Sequence, residues 1–358
     1  MTAAPAPLIS VVMAAYNGAG LIEDTIASVL AQDLPDFELV VVDDASTDDT
    51  LARLRAVTDP RVRVIAASAN GGPVVARNIA FAAARGRYIA GLDQDDLCHP
   101  HRFSTQAAFL DANPDTVLVA SAVDLLRDGT VRAPVAPLRT TPALIAWRMR
   151  FGNPLVWSSV MFRADAARGL DVFERTDRLY AEDFDFYIRI AQLGALARID
   201  RPLVTYRIHP GGASQRFTRR MDQSAGAVLA AMHGQHFGAD ADAVARLMLV
   251  HFTGGAAVPD VPTLDRLGRI LEHVDHAFRA VRALTPDDSA LITTEFGRMW
   301  WRMADASVRA GMVSLDDAVR ARPAGVPARH PSARRALGSV AIGRARATLA
   351  RWTTGRVR

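Results

Sequence analysis

The chain has 358 residues, is 50% hydrophobic and carries a formal net charge of +4, so it can bury a sizeable core, and its length suggests two domains or one with an extension. It contains no lysine and a single cysteine, Cys98. That excludes Schiff-base chemistry, a Walker-type phosphate lysine, an internal disulfide and a Cys-rich zinc site, and it suits a reducing compartment.

Leu8 to Ala15 is a nearly continuous apolar run, as expected of a strand buried on both faces of a sheet. Tyr16-Asn17-Gly18 ends it, and Leu21, Ile22, Ile26, Val29 and Leu30 then recur at helical spacing. Phe37 to Val42 is a second buried strand, running into Asp43-Asp44-Ala45-Ser46-Thr47-Asp48, whose hydroxyls and carboxylates can cap a helix from near Asp48. Arg61 to Ala66 is a third strand. After Asn70-Gly71-Gly72, Pro73 opens a helix that Gly86 closes. Tyr88-Ile89-Ala90 then delivers Gly91-Leu92-Asp93-Gln94-Asp95-Asp96. Such strand-helix alternation predicts an open, doubly wound parallel sheet, in which ligands sit outside the carboxyl ends of the strands. Three of those ends carry polar groups, Tyr16-Asn17, Asp43-Asp44 and Asp93-Gln94-Asp95, and they are expected to converge in one cleft. Three carboxylates at the end of a buried strand repel one another and lose hydration, and a divalent metal with oxygen ligands is the usual solution. The plainer alternative, helix capping, needs only one aspartate.

Beyond this cluster a helix with Phe103, Ala107 and Leu110 ends at Asn113-Pro114. A strand is expected at Thr116–Val123, a proline-rich surface loop over 131–142, and a further strand over Val156–Phe162. Ala181-Glu182-Asp183 opens a helix with three acids in its first turn, favourable beside its dipole. Ala195 to Tyr206 completes the sheet and leads into Tyr206-Arg207-Ile208-His209. From about Ser214 the pattern is helical, with Thr285-Pro286-Asp287-Asp288 as a start signal. From Ala318 to Arg358 there are ten arginines and no acid; +4 minus +10 leaves −6 on residues 1–317, so a nucleic-acid groove across the body is not expected. Leu337, Val340, Leu349 and Trp352 lie near one helical face among Arg334, Arg335, Arg346 and Arg351, a pattern suited to peripheral contact with an anionic membrane, with a solvated tail as the alternative. No apolar run approaches a ~20-residue membrane span, and Met1-Thr2-Ala3-Ala4-Pro5 lacks the form of a leader, so a cytoplasmic protein is expected.

Six stretches, in order and spacing, resemble the family 2 glycosyltransferases, inverting enzymes of the GT-A fold: Ile9 to Asn17; Phe37 to Thr50; Asn70-Gly71-Gly72 with Ala76-Arg77-Asn78; Gly86 to Asp96; Glu182-Asp183; and Tyr206 to His209. The resemblance covers roughly residues 8–214. It implies an α/β architecture, a GT-A type, mostly parallel, Rossmann-like sheet flanked by helices, with an α-helical C-terminal extension. The division implied is 1–213 for the transferase domain, 214–325 for the helical region and 326–358 for the basic tail. The implied reaction moves a sugar from a UDP- or dTDP-linked donor to a saccharide or lipid-linked acceptor in polysaccharide or glycoconjugate biosynthesis.

The resemblance also implies roles. Asp95 would be the principal ligand of Mn²⁺ or Mg²⁺, with Asp93 reaching the metal or the ribose, His209 completing the shell and Asp96 supporting the cluster from behind. Ala14, Tyr16, Asp44, Arg77, Asp93 and Gln94 would bind the nucleotide sugar. Inversion by one displacement needs a base opposite the leaving group, and Asp183 would be that base, with Glu182 and a partly dry pocket raising it from a free-aspartate pKa of ~3.9. Trp147 and Trp157 would stack on a sugar ring or pack in the core. Two other readings stay open at this point: a metal-dependent nucleotidyltransferase, which would not need Asp183, and a non-catalytic nucleotide-binding scaffold whose helical region recruits a partner.

Overall fold

The computed structural model describes residues 6–133, 139–327, 338–339 and 342–343. They fall into two compact units, one within Met1–Ile145 and Pro154–Ser224, the other within Ala146–Asn153 and Ala225–Arg358.

The first unit is built on a nine-stranded sheet: β1 (Ile9–Ala15), β2 (Phe37–Asp43), β3 (Val62–Ala66), β4 (Tyr88–Gly91), β5 (Leu97–Cys98), β6 (Thr116–Arg127), β7 (Thr130–Arg132), β8 (Met161–Arg163) and β9 (Ala195–Ile208). The strand order is β3-β2-β1-β4-β8-β6-β9-β5, with β7 paired to β6. The four strands β3, β2, β1 and β4 are parallel, joined by α1 (Ile22–Leu30), α2 (Thr50–Ala56) and α3 (Pro73–Ala83). This is the half that the apolar runs predict, and every residue of β2 is buried. The other half is mixed. β8 is antiparallel to both β4 and β6, while β6 and β9 are parallel with three register shifts, the kind of irregularity that bends strands and curls a sheet. α4 (Arg102–Ala112) packs its Phe103, Ala107 and Leu110 into the core, and buried Arg102 donates to the carbonyls of Gly91 and Val160, fixing the end of β4.

Two expectations are corrected here. Val156–Phe162 is not one strand: a 3-10 turn at Trp157–Ser159 precedes the short β8, because Ser159 Oγ donates back to the Val156 carbonyl at 2.7 Å and Ser158 is turned toward the strand-end aspartates. The proline-rich stretch 131–142 is not all loop, since Val131 and Arg132 belong to β7 and Pro142 opens α5 (Pro142–Arg148).

Glu38 ties the parallel half together. It is 3% exposed and accepts from Ser10 Oγ, from Arg63 Nη1 and from the backbone and side chain of Arg85. Burial alone would raise its carboxyl, but the hydrogen bonds from Arg85, Ser10 and Arg63 outweigh it and bring it down to about 2. Its stabilising contribution is therefore present above the ordinary value of 4.5 and lost as pH falls through about 2. Glu38→Gln is expected to cost about 1–3 kcal/mol at neutral pH and to flatten the acid limb of a denaturation-midpoint profile; an unchanged limb would refute the assignment.

After β8 the first unit adds α6 (Ala164–Arg168), α7 (Glu182–Ile190), α8 (Ala213–Arg216) and the start of α9 (Thr218–Phe237). The second unit is helical: the rest of α9, α10 (Ala241–Leu247), a π-helical turn at Met248–Thr253, α11 (Val261–Ala280), α12 (Pro286–Arg309) and α13 (Leu315–Arg320). Thr285 and Asp288 form a capping box at the start of α12, as the sequence signal predicts. Trp147, Phe151, Phe252 and Phe296 form its aromatic core, and Trp147 Nε1 donates to Asp275. Trp147 is fully buried, so sugar stacking is excluded for it. The apolar face expected at Leu337, Val340, Leu349 and Trp352, with its arginines, lies outside the described residues. No helix among the described residues is long and apolar enough to cross a membrane.

Candidate active site

The carboxyl ends of β1, β2 and β4 meet through hydrogen bonds between their polar residues. Gln94 clamps the backbone of Tyr16, accepting from its N–H at 2.9 Å and donating to its carbonyl at 3.0 Å. The approach is close enough that a Cβ on Gly18 would fall 2.3 Å from Gln94 Oε1. Asn17 accepts from Thr47 N at 2.8 Å, and Asp44 N donates to the Ala15 carbonyl. Ala14 lies half-buried at the end of β1, and the Tyr16 ring stands 44% exposed beside it. Asp44 is buried and spends both carboxylate oxygens on the N–H groups of Gly71 and Gly72, each at 2.8 Å. It does not cap α2; Asp48 accepts from Thr50 N there.

Asp93, Asp95 and Asp96 take three different environments. Asp93 donates its N–H to Ser158 Oγ at 3.0 Å and places a carboxylate oxygen 3.7 Å from Arg77 Nη1. Asp95 Oδ2 contacts His209 Nε2 at 2.9 Å, which brings the end of β9 against the end of β4. Asp96 is fully buried and accepts from Arg207 N at 2.9 Å, while its second oxygen has no partner in the structure. Burial first, then Asp95 and Asp93, push its carboxyl well above the ordinary carboxylate range. Among the described residues no three His, Cys, Asp or Glu side chains converge to hold an ion by themselves. The Asp95–His209 pair is an oxygen and nitrogen donor set of a kind that divalent ions take.

On the other flank Arg77, 6% exposed, is surrounded by carboxylates. Its Nε donates to both oxygens of Glu174, at 2.8 and 3.1 Å, its Nη2 pairs with Glu182, and its guanidinium lies 5.2 Å from the Trp157 ring centre. One guanidinium cannot neutralise Glu174, Glu182 and Asp93 together. Complete burial pushes the Glu174 carboxyl up to about 8 despite the opposing pull of Arg77, with Glu182 adding to the rise. A folded-state value above the ordinary 4.5 means that the contribution of Glu174 to stability is full below 4.5 and lost as pH rises through about 8. In EDTA, the denaturation midpoint is therefore expected to fall across that window more steeply for the wild type than for Glu174→Gln. Parallel profiles would show that Glu174 is ionised throughout.

Asp183 sits half-buried in the first turn of α7, with Oδ1 accepting from Phe184 N at 2.7 Å. Glu182, beside it in sequence, points to Arg77 and is 6% exposed. Trp157 is packed against the Gly91 backbone, where a Cβ would come within 2.7 Å of its ring, so it too belongs to the core and does not stack on a sugar. Sequence reasoning missed Ser158 and Glu174. For Glu174 the one available signal is an acid directly after the apolar Val172-Phe173; for Ser158 there is none.

A curled α/β sheet, a polar cleft at its parallel strand ends and appended helices define a GT-A type glycosyltransferase fold. Residues 10–159 match the family model described as Glycosyl transferase family 2. Over 195 residues the chain is 32% identical to the putative glycosyltransferase EpsE of Bacillus subtilis, covering 52% of this chain and 68% of that one. The chain belongs to glycosyl transferase family 2. It is also 29% identical to the Escherichia coli UDP-Glc:alpha-D-GlcNAc-diphosphoundecaprenol beta-1,3-glucosyltransferase WfaP, over 61% of this chain and 84% of WfaP. With the Rhizobium meliloti succinoglycan biosynthesis protein ExoO it shares 39% identity over 47% of this chain and about half of ExoO, 48%. Among solved structures, S. aureus TarS in complex with UDP-GlcNAc superposes with a TM-score of 0.53 at 17% identity, over 97% of this chain and 92% of that one. The mannosyltransferase PcManGT from Pyrobaculum calidifontis, in complex with GDP-Man and Mn²⁺, gives 0.51 at 21% identity, over 85% and 87%.

Proposed function

We propose that this glycosyltransferase moves a sugar from a UDP- or dTDP-linked donor to a saccharide or lipid-linked acceptor in surface polysaccharide assembly, by a single inverting displacement assisted by Mn²⁺ or Mg²⁺. The observation that carries the reading is Arg77, which joins the Asp93 loop to the start of α7, so that strand-end carboxylates and Asp183 flank one cleft. The names of WfaP and ExoO support the donor, acceptor and pathway class, and the Mn²⁺ of PcManGT supports the metal. The transfer machinery lies in residues 1–213, with 214–325 and the basic 326–358 accessory to it. We infer a cytoplasmic location, with peripheral contact at the membrane that carries a lipid-linked acceptor.

In this reading Ala14 and the exposed Tyr16 ring border the nucleoside, and Asp44 holds the Asn70–Gly72 turn that shapes that pocket. Gln94 fixes Tyr16. Asp183 takes the proton of the acceptor hydroxyl as that oxygen bonds to the anomeric carbon. The bond from this carbon to the diphosphate oxygen breaks, its electron pair leaves with the nucleoside diphosphate, and configuration inverts. A divalent ion held by Asp95 and His209 would neutralise the charge growing on the leaving diphosphate. Glu182, locked to Arg77, positions the start of α7 and does not take the proton.

A thermal-shift panel of UDP, dTDP, GDP, CDP and UMP, with and without Mn²⁺, tests the donor site. Ligand at 100 times its Kd stabilises the folded state by about 2.7 kcal/mol. A Mn²⁺-dependent rise for one nucleoside diphosphate, lost in Asp95→Ala, is the expected result. No rise with any nucleotide would defeat the reading, and would count equally against a nucleotide-binding scaffold.

A further inference from the structure

Beside Glu182 and Asp183 the first unit carries an aromatic and cationic shelf that the donor site does not use. Tyr180 has φ +69°, a left-handed backbone that costs a bulky residue about 1–3 kcal/mol unless its surroundings impose it. What that backbone achieves is a ring stacked on Phe217, with centroids 4.6 Å apart and planes 14° apart. Each ring in turn holds a guanidinium: Arg220 lies 5.9 Å from the Tyr180 centroid and Arg216 lies 5.3 Å from that of Phe217. Both arginines are exposed, and among the described residues neither forms an ion pair with a carboxylate. The nearby Glu182 is already bound to Arg77. Tyr180 directly precedes Ala181, the N-cap of α7, so the shelf stands at the start of that helix, two residues from Glu182.

Cation–π contact fixes a guanidinium in orientation while leaving its N–H donors outward, and such a fork matches phosphate or carboxylate oxygens. We propose that Arg216 and Arg220, held by the Phe217–Tyr180 stack, bind an anionic group, phosphate or carboxylate, on the acceptor saccharide. The proposal rests on the transferase reading above and adds the charge of the acceptor to it. The anion would sit beside Asp183 and hold the attacking hydroxyl near that carboxylate.

Saturation-transfer NMR on the full chain, with UDP and Mn²⁺ present in excess, tests this with glucose 1-phosphate, glucuronate and methyl glucoside. The two anionic probes separate the phosphate source from the carboxylate source, and the neutral one is the control. One or both anionic probes should bind at least about tenfold more tightly than the neutral sugar, and Arg216→Gln/Arg220→Gln should weaken that binding about tenfold. Phe217→Leu should weaken it less, through lost orientation of Arg216. The UDP–Mn²⁺ thermal shift should be unchanged in each variant. Equal binding of neutral and anionic probes, or anion binding indifferent to the double substitution, would overturn the proposal. So would loss of the UDP–Mn²⁺ shift in the double variant, which would assign the arginines to the donor diphosphate. Absence of a shift with UDP, dTDP or any other nucleotide of the panel in the wild type would instead sink the transferase reading, and the probes without nucleotide would still report on the shelf.

Discussion

Asp183→Asn is expected to lower kcat for sugar transfer by about 10²–10⁴-fold, the usual contribution of a positioned general base, with folding and nucleotide binding intact. The substitution preserves size, and the amide oxygen can still accept from Phe184 N as Asp183 Oδ1 does at 2.7 Å. What it removes is the capacity to take a proton. Glu182 cannot substitute, because its carboxylate is committed to Arg77 and it is nearly fully buried. Asp93 and Asp95 belong to the strand end that would face the leaving group, the wrong side for a base in an inverting displacement. Initial rates with donor and acceptor, alongside the UDP–Mn²⁺ thermal shift of the same variant, give the check. Transfer within tenfold of wild type would remove Asp183 from the mechanism.

The parts of this molecule that the sequence makes legible are those whose signal is local. Ile9–Ala15 is broken only by Ser10 and Phe37–Asp43 is apolar but for Glu38 and its last residue, and runs this rich in apolar residues read as buried strands from local sequence alone. The Thr285 capping box is readable for the same reason, since both partners lie within four residues. Legibility fails where a residue's environment comes from far away in sequence. Glu174 meets Arg77 across 97 positions and Ser158 meets Asp93 across 65, and nothing near either residue announces its partner. Trp147 reads as a candidate sugar platform until Phe296, far later in the chain, packs against it and Phe252 closes on its neighbour Phe151. The strand-end aspartates are an intermediate case. Their clustering is visible, but that Asp95 turns to His209, Asp93 to Arg77 and Asp96 inward to the Arg207 backbone depends on β9 and α3.

Arg77→Met should cost about 3–5 kcal/mol, the price of removing one partner from a buried ion pair and leaving the other unpaired. Among the described residues the guanidinium is the one cationic partner of both Glu174 and Glu182, and those carboxylates are 0% and 6% exposed. Burial opposes the charge on Arg77, but Glu174, Glu182 and Asp93 outweigh it and hold the guanidinium protonated. Methionine fills much of the volume, so the loss would report charge more than cavity. Arg77→Lys should fall between wild type and Met, because an ammonium cannot reproduce the paired Nε and Nη2 contacts to two different carboxylates. The decisive comparison is the double variant. Above a pH of about 8, where Glu174 ionises, Glu174→Gln in the Arg77→Met background relieves one buried carboxylate and should recover part of the stability, whereas Glu174→Gln alone should destabilise by breaking the pair. Urea midpoints for the four proteins close the cycle. If Arg77→Met lies within about 1 kcal/mol of wild type, or if the two substitutions add independently, Arg77 is not the residue that holds the start of α7 to the Asp93 loop, and the coupling of Asp183 to the donor side of the cleft must come from elsewhere.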